Sequence, residues 1–336
     1  MRNCERAIAM ADALSAASPL VIWTSLGFIC GRWLPAVIPQ WLGRGLYWVG
    51  VPIQIFALVR HTNFAGLIWL APVLAFVALI VGYILAQGLY NLQKHYFQPQ
   101  WLQYTPPFLT STVPEGESRR LQGSYLIASI LGNTGFVGLG VAIPLLSTTA
   151  LPWATFYAIT QNALGTYGLG SFLGQYYGRG NHQPWWQALA VIPTVPTLWA
   201  SVAGFATHDL AFPETIEKLC EIDIHLVIPL AFVLIGIRLS RLPGWQSLRV
   251  GLLPMLVKTL LLPLTMMAIA YGLGLRGDTL LAIAIMAGTP TAFAALILAE
   301  EYELNTDLPP AVIALSTLSF VAVFPFWVVL CRQVLT

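Results

Sequence analysis

Charge is what this sequence has least of. Only 9% of its 336 residues are Asp, Glu, Lys or Arg, against about 25% in an ordinary soluble domain, so a water-facing surface of normal polarity cannot be assembled from it. The mean hydropathy is +0.73, and most of the chain must face lipid or other apolar segments. A formal net charge of +2, with no basic stripe interleaved with aromatics, sets nucleic acid aside as a partner. Cysteine is scarce as well: Cys4, Cys30, Cys220 and Cys331 lie far apart and form no CxxC or Cys/His cluster, which indicates neither a disulfide framework nor a metal site. His61, His95, His182, His208 and His225 fall in loops or at span ends without metal-ligand spacing. No GxxxxGK[ST] loop occurs, so direct drive by ATP is not expected. No Asp or Glu sits at the centre of an apolar span, which disfavours a carboxylate proton relay. An intramembrane enzyme would need a nucleophile and base, or metal ligands, at matching depth; no such set is found, and the chain is expected not to be an enzyme.

What is present is a succession of apolar runs. From Leu121 to Gly178 there is no Asp, Glu, Lys, Arg or His. A helix needs about 20 apolar residues to cross the hydrocarbon core, and this stretch contains Pro144 and Pro152, so it reads as two helices and a turn. The same logic gives ten spans, at 15–35, 44–60, 64–92, 121–146, 152–177, 186–206, 222–239, 250–275, 279–301 and 309–332. Residues 1–14 read as an N-terminal tail, in preference to a cleaved signal peptide, and 94–120 as a polar cytoplasmic loop. Residues 15–178 would form a first five-helix repeat and 179–336 a second. Because five is odd, the halves must be inverted. They correspond in pattern: VGVPIQIFALV in the second span against LVIPLAFVLIG in the seventh, and GNTGFVGLG in the fourth against AGTPTAF in the ninth. Lys and Arg number nine in the connections of one side and six on the other, which places both termini outside a plasma (inner) membrane. The fold class is therefore all-α integral membrane, with ten transmembrane helices as two inverted five-helix repeats.

The fourth span carries Gly132, Gly135, Gly138 and Gly140 around Asn133 and Thr134. Each glycine weakens a helix by about 1 kcal/mol relative to alanine. The ninth carries Gly288, Thr289, Pro290 and Thr291, where Pro290 removes an N–H and clashes with the carbonyl four residues back. Both spans are expected to break near mid-membrane, at Gly140 and Pro290, and half-helix amino ends offer N–H donors to an anion. Two interrupted helices at corresponding positions point to a carrier's binding site; the competing reading is that the small residues only let helices pack closely. Gln161 and Asn162 are adjacent amides in the fifth span, at which a ligand role and interhelical hydrogen bonding compete, as they do at Gln54. Adjacent helical residues diverge by about 100°, so one of the pair at most faces a given cavity squarely. Lys258 is the one lysine within a span and is expected to snorkel to the cytoplasmic face. Arg238 and Arg241 close the seventh span, where they satisfy the charge bias and are candidates to cap its last carbonyls. Glu300 and Glu301 read as a solvated helix end.

GNTGFVGLG, IPLAFVLIGIRLS and GTPTAFAALILAEEYELNTDLPPAVIALSTLSF, with GFICGRWLP and VPIQIF earlier in the chain, together resemble the auxin efflux carrier family. The resemblance implies ten helices in two inverted halves, broken crossing helices four and nine, and transport of a small organic anion by alternating access. It places Asn133 to Gly138 and Gly288 to Thr291 around the substrate. Where the family pattern reads GLP, this chain has Gly138-Leu139-Gly140, which leaves the substrate and the stiffness of that break undetermined. No cofactor is expected. Sodium coupling through carbonyls, hydroxyls and amides, as in the bile-acid symporters, is the alternative, together with a non-transporting receptor or channel. The lipid bilayer is the expected environment, and a homodimer is admitted.

Overall fold

Hydrocarbon offers the peptide group no hydrogen-bond partner, so a chain this apolar must satisfy its backbone within helices. The computed structural model describes residues 2–35, 37–62, 66–96, 115–178, 194–241 and 248–334. Among them the secondary structure is helical and no strand forms. The helices are α1 (Arg2–Gly31), α2 (Val37–Gly45), α3 (Val51–Arg60), α4 (Leu70–Tyr96), α5 (Glu115–Ile130), α6 (Leu139–Leu145), α7 (Leu151–Thr160) and α8 (Ser171–Tyr177). They continue as α9 (Pro196–Ala206), α10 (Glu214–Ser240), α11 (Leu248–Leu256), α12 (Leu262–Gly272), α13 (Gly277–Gly288), α14 (Ala294–Glu301) and α15 (Leu308–Val329). Turns of π-helix join α2 to α3 at Leu46–Gly50, α7 to α8 at Gln161–Gly170 and α11 to α12 at Val257–Leu261, and another opens α6 at Thr134–Gly138. Such widened turns are rare and concentrate at functional sites.

Six continuous helical stretches among the described residues are long and apolar enough to cross a membrane: Leu14–Gly31, Val37–Arg60, Leu70–Gln93, Glu214–Ser240, Gly251–Gly272 and Leu308–Arg332. This is a multi-pass membrane protein. Thr134–Leu145 and Gly277–Gly288 are shorter apolar helices. Two boundaries differ from the sequence expectation, and a third falls outside the described residues. Residues expected as a tail are helical from Arg2 onward. The polar 94–120 segment shrinks, because α4 runs to Tyr96 and α5 begins at Glu115, while 97–114 lie outside the described residues. Of the sixth expected span, 186–193 also lie outside them and the remainder is α9.

The helices pack as two groups. In the first, α1 and α10 run along one another, with α2–α3 and α9 added. Their approach depends on missing side chains: a Cβ on Gly27 would strike the Val233 carbonyl, and one on Gly236 would strike the Thr24 carbonyl. Small residues of this kind let membrane helices approach backbone to backbone. The second group holds α4–α8 and α11–α15, and α1 and α10 meet it at α6, the turn Thr134–Gly138 and α15. Ion pairs tie the ends of each group. Arg60 binds Glu217 at 2.9 Å and the carbonyls of Thr207 and Leu210 at 2.5 and 2.6 Å. Arg332 binds Asp278 at 2.8 Å and the Leu145 carbonyl at 2.8 Å.

Candidate functional site

Pro290 cannot donate to a helical carbonyl, and its ring pushes the residue before it into extended backbone. Helix α13 accordingly stops at Gly288, and Thr289 is extended, with φ −50° and ψ 146°. In the other interrupted segment α5 ends at Ile130, and Asn133 has φ −78° and ψ 59°. Between these helix ends the two chains meet in a lone antiparallel bridge pairing Gly132 with Thr291. The Asn133 N–H donates to the Pro290 carbonyl at 2.7 Å and the Ala292 N–H to the Leu131 carbonyl at 2.9 Å.

Glycine makes this approach feasible. A Cβ on Gly132 would stand against the Thr289 hydroxyl and 2.9 Å from Lys258 Nζ, and one on Gly138 would stand 2.8 Å from Met286 Sδ. Gly140 corrects the expected position of the first break. It lies inside α6, where a Cβ would stand 2.7 Å from the Phe232 ring of α10; the chain leaves the helix well before it, at Leu131–Asn133, where the Gly132–Thr291 bridge replaces helical pairing. Gly288 likewise serves contact, since a Cβ on it would stand 3.3 Å from the Pro263 ring.

Two interrupted helices expose two carbonyl ends and two amide ends, and these fare differently. On α5, the Ala128 carbonyl accepts from Thr291 Oγ1 at 2.8 Å, the Ile130 carbonyl from Gln161 Nε2 at 3.1 Å and the Leu131 carbonyl from Ala292. On α13, the Met286 carbonyl accepts from Thr289 Oγ1 at 3.0 Å and the Ala287 carbonyl from Lys258 Nζ at 2.5 Å. The amide ends have no such partners. Among the described residues, no acceptor meets the N–H groups of Thr134, Gly135 and Phe136 at one break, or of Phe293 and Ala294 at the other. Thr291 N–H is spoken for by Ser316 Oγ at 3.0 Å.

The candidate residues therefore divide. Gln161, Gly138, Gly288, Thr289 and Thr291 cap carbonyls or permit close approach, and Pro290 supplies the carbonyl that Asn133 binds. Asn133, Thr134, Gly135 and Asn162 surround the free amides. The Asn133 side-chain amide makes no hydrogen bond among the described residues, and the Thr134 hydroxyl is buried without a partner. Asn162 brings its Nδ2 to 3.5 Å from a Cβ built on Gly135. Gln161 and Asn162 both reach the first break, one at its carbonyl end and one at its amide end, on the wide π turn Gln161–Gly170.

Lys258 overturns the snorkelling expectation. It is 1% exposed, on the π turn Val257–Leu261, and its ammonium turns inward to the end of α13. No carboxylate lies in ion-pair range of it among the described residues. The residue had been legible as the one lysine inside a span; its direction had not. Arg238 does not cap carbonyls either. Its guanidinium lies over the Phe293 ring, 4.7 Å from the centroid, whereas the Arg241 side chain caps the end of α1 and not its own helix, binding the Gly31 and Leu34 carbonyls at 2.9 and 2.6 Å. Gln54, on α3, is buried with both amide atoms unpaired among the described residues.

A multi-pass helical bundle holding two interrupted segments paired across a buried bridge is the architecture of a membrane transporter. Comparison with known proteins agrees. Residues 190–328 match the family model described as membrane transport protein. An uncharacterized transporter of Methanocaldococcus jannaschii is 24% identical over 209 residues, covering 61% of this chain and 67% of that protein. An uncharacterized transporter of Methanothermobacter thermautotrophicus is 26% identical over 202 residues, covering 60% and 65%. These likenesses support reading the chain as a membrane transport protein, with residues 190–328 similar to that family.

Proposed function

We propose that this protein is a secondary carrier that moves a small organic anion across a plasma membrane by alternating access, with ten crossings arranged as two inverted five-helix halves and both termini outside. One observation carries the reading: at the paired breaks the carbonyls of Ala128, Ile130, Leu131, Met286 and Ala287 accept from protein donors, whereas among the described residues the N–H groups of Thr134, Gly135, Phe136, Phe293 and Ala294 meet no acceptor. Free N–H groups at helix starts carry partial positive charge and favour an anion. The side-chain amides of Asn133 and Asn162 border those groups and would complete the acceptor shell of a carboxylate.

The same accounting bears on coupling. A sodium site assembled from main-chain oxygens needs uncommitted carbonyls, and four at the breaks, those of Ala128, Ile130, Met286 and Ala287, already accept from Thr291, Gln161, Thr289 and Lys258. The Lys258 ammonium already brings a positive charge to the C-terminal end of α13, where a bound cation would otherwise be favoured. The carrier is therefore proposed to work without sodium.

The test is uptake by the full chain in proteoliposomes. Wild-type protein is expected to show saturable uptake and counterflow of a small carboxylate, unchanged when sodium is replaced by potassium. Asn133→Ala is expected to insert and fold but lose uptake. Full uptake by that variant would remove the assigned site, and linear flux without saturation would replace the carrier with a channel.

A further inference from the structure

Arg238 and Arg241 sit one turn apart at the end of α10, yet their surroundings differ. Arg241 spends its donors on the Gly31 and Leu34 carbonyls. Arg238 is half-buried, packs over Phe293, and lies so close to α2 that a Cβ on Gly43 would stand 2.9 Å from its Nη2. Among the described residues it meets no carboxylate and no hydrogen-bond acceptor. A guanidinium carries five N–H donors and is always charged, and removing it partly from water without acceptors is unfavourable. A cation over an aromatic face is stabilised through the ring, but that contact leaves the N–H donors unanswered.

The position of Phe293 gives this meaning. Phe293 follows the bridge residue Thr291 by two positions, and its own N–H is one of the free amides at the start of α14. The unanswered guanidinium and an unanswered helix start thus share one residue. They also belong to different groups of helices: Arg238 is on α10, which packs with α1, and Phe293 is on the segment that pairs with Gly132.

We infer that Arg238 is the counter-charge that makes this carrier select anionic over neutral solutes, donating to a carboxylate held at the amide end of α14 while its flat face rests on Phe293. The inference rests on the proposed carrier function and adds its charge selectivity. Movement of α14 against α10 would part the two residues, so the counter-charge acts on the solute in one of the two access states and releases it in the other.

The experiment measures binding by the full chain in lipid nanodiscs, as ligand-induced thermal stabilisation, for benzoate, phenylacetate and indole-3-acetate, each beside its neutral amide. In wild-type protein at least one acid is expected to bind at least about tenfold more tightly than its amide, as a charge-assisted hydrogen bond provides. Arg238→Gln is expected to bring that ratio within about threefold by weakening the acid alone. Arg241→Gln removes the same charge nearby and is expected to leave the ratio intact. Arg238→Lys keeps the charge without the planar fork and is expected to weaken the acid by an intermediate factor; it serves if the Gln variant does not fold, and unchanged acid affinity in it would refute the assignment. A tenfold ratio surviving in Arg238→Gln overturns the inference, as does an equal loss in Arg241→Gln. If wild-type protein binds no acid of the set, the inference falls together with the carrier reading; if it binds the acids and the Arg238 variants keep the same preference for them, the inference alone falls.

Discussion

The ammonium of Lys258 lies 2.5 Å from the carbonyl of Ala287, at the point where α13 stops. A fully buried cation in an apolar bundle is unfavourable unless something compensates it. Here the compensation is the partial negative charge at the C-terminal end of a half helix. Lys258 thereby does for the second break what Gln161 does for the first, since each spends a donor on a carbonyl that the interruption has orphaned.

Replacing Lys258 by Met tests that role. Met fills much of the same space and carries no charge to desolvate, so overall stability is expected to change by less than about 2 kcal/mol. The Ala287 carbonyl, however, loses its donor and the break loses its positive charge. Uptake in proteoliposomes is expected to fall at least about tenfold, equivalent to 1.4 kcal/mol, while the thermal midpoint in detergent moves little. Wild-type uptake in Lys258→Met would show that the ammonium is structural only.

Sodium offers an independent check. Because protein donors occupy the Ala128, Ile130, Met286 and Ala287 carbonyls, the thermal midpoint of the wild-type protein is expected to be equal in sodium chloride and potassium chloride at the same ionic strength. A specific ligand at a hundred times its dissociation constant would stabilise the fold by about 2.7 kcal/mol. A shift confined to sodium would therefore be readily seen, and would restore the symporter alternative.

The glycines of the first break are expected to behave unequally. Gly132→Ala places a methyl group against Thr289 and Lys258, and overpacking of this kind typically costs about 1–3 kcal/mol. Gly135→Ala meets only the Asn162 amide, at 3.5 Å, and gains helix propensity of about 1 kcal/mol at most. The first variant is expected to melt earlier than wild type and the second not to. The methyl group in Gly135→Ala nonetheless borders the free amides, so uptake should drop in both. Thermal melts and uptake measured side by side separate packing from binding.

Some of this was legible in the sequence and some was not, for identifiable reasons. The helical membrane character follows from charge-poor runs, because composition alone decides whether a segment can be solvated. Pro290 announces its own interruption, since a missing N–H is a local property. Gly140 announces nothing so definite: glycine marks a close approach as readily as a break, and here it makes room for Phe232. The direction of Lys258 was hidden because a lysine near the start of a span can reach the membrane face, whereas the π turn Val257–Leu261 carries it and its Nζ meets the Ala287 carbonyl. Arg238 and Arg241 look equivalent in sequence, and only the neighbours brought in by α1 and α14 distinguish them.

Tyr47 and Tyr167 provide the most direct test of movement between the helix groups. Their hydroxyls are hydrogen-bonded, yet Tyr47 lies on the π turn of the α2–α3 segment and Tyr167 on that between α7 and α8, so the bond crosses from the first group to the second. If alternating access slides one group past the other, this contact must open in every cycle. Cysteines at both positions, joined through two disulfides by a short bis-methanethiosulfonate linker that releases methanesulfinate at each end, are then expected to abolish uptake, with recovery on reduction. The control pair is Gln87 and Gln122, whose amides are hydrogen-bonded at 3.0 Å within the second group; linking cysteines placed there should leave uptake unchanged, because α4 and α5 travel together. Cys4, Cys30, Cys220 and Cys331 would first be replaced by Ala or Ser so that the linker reports one pair at a time. Undiminished uptake with position 47 tied to position 167 would mean that the two groups move as one body, and the access mechanism would have to be sought inside the second group.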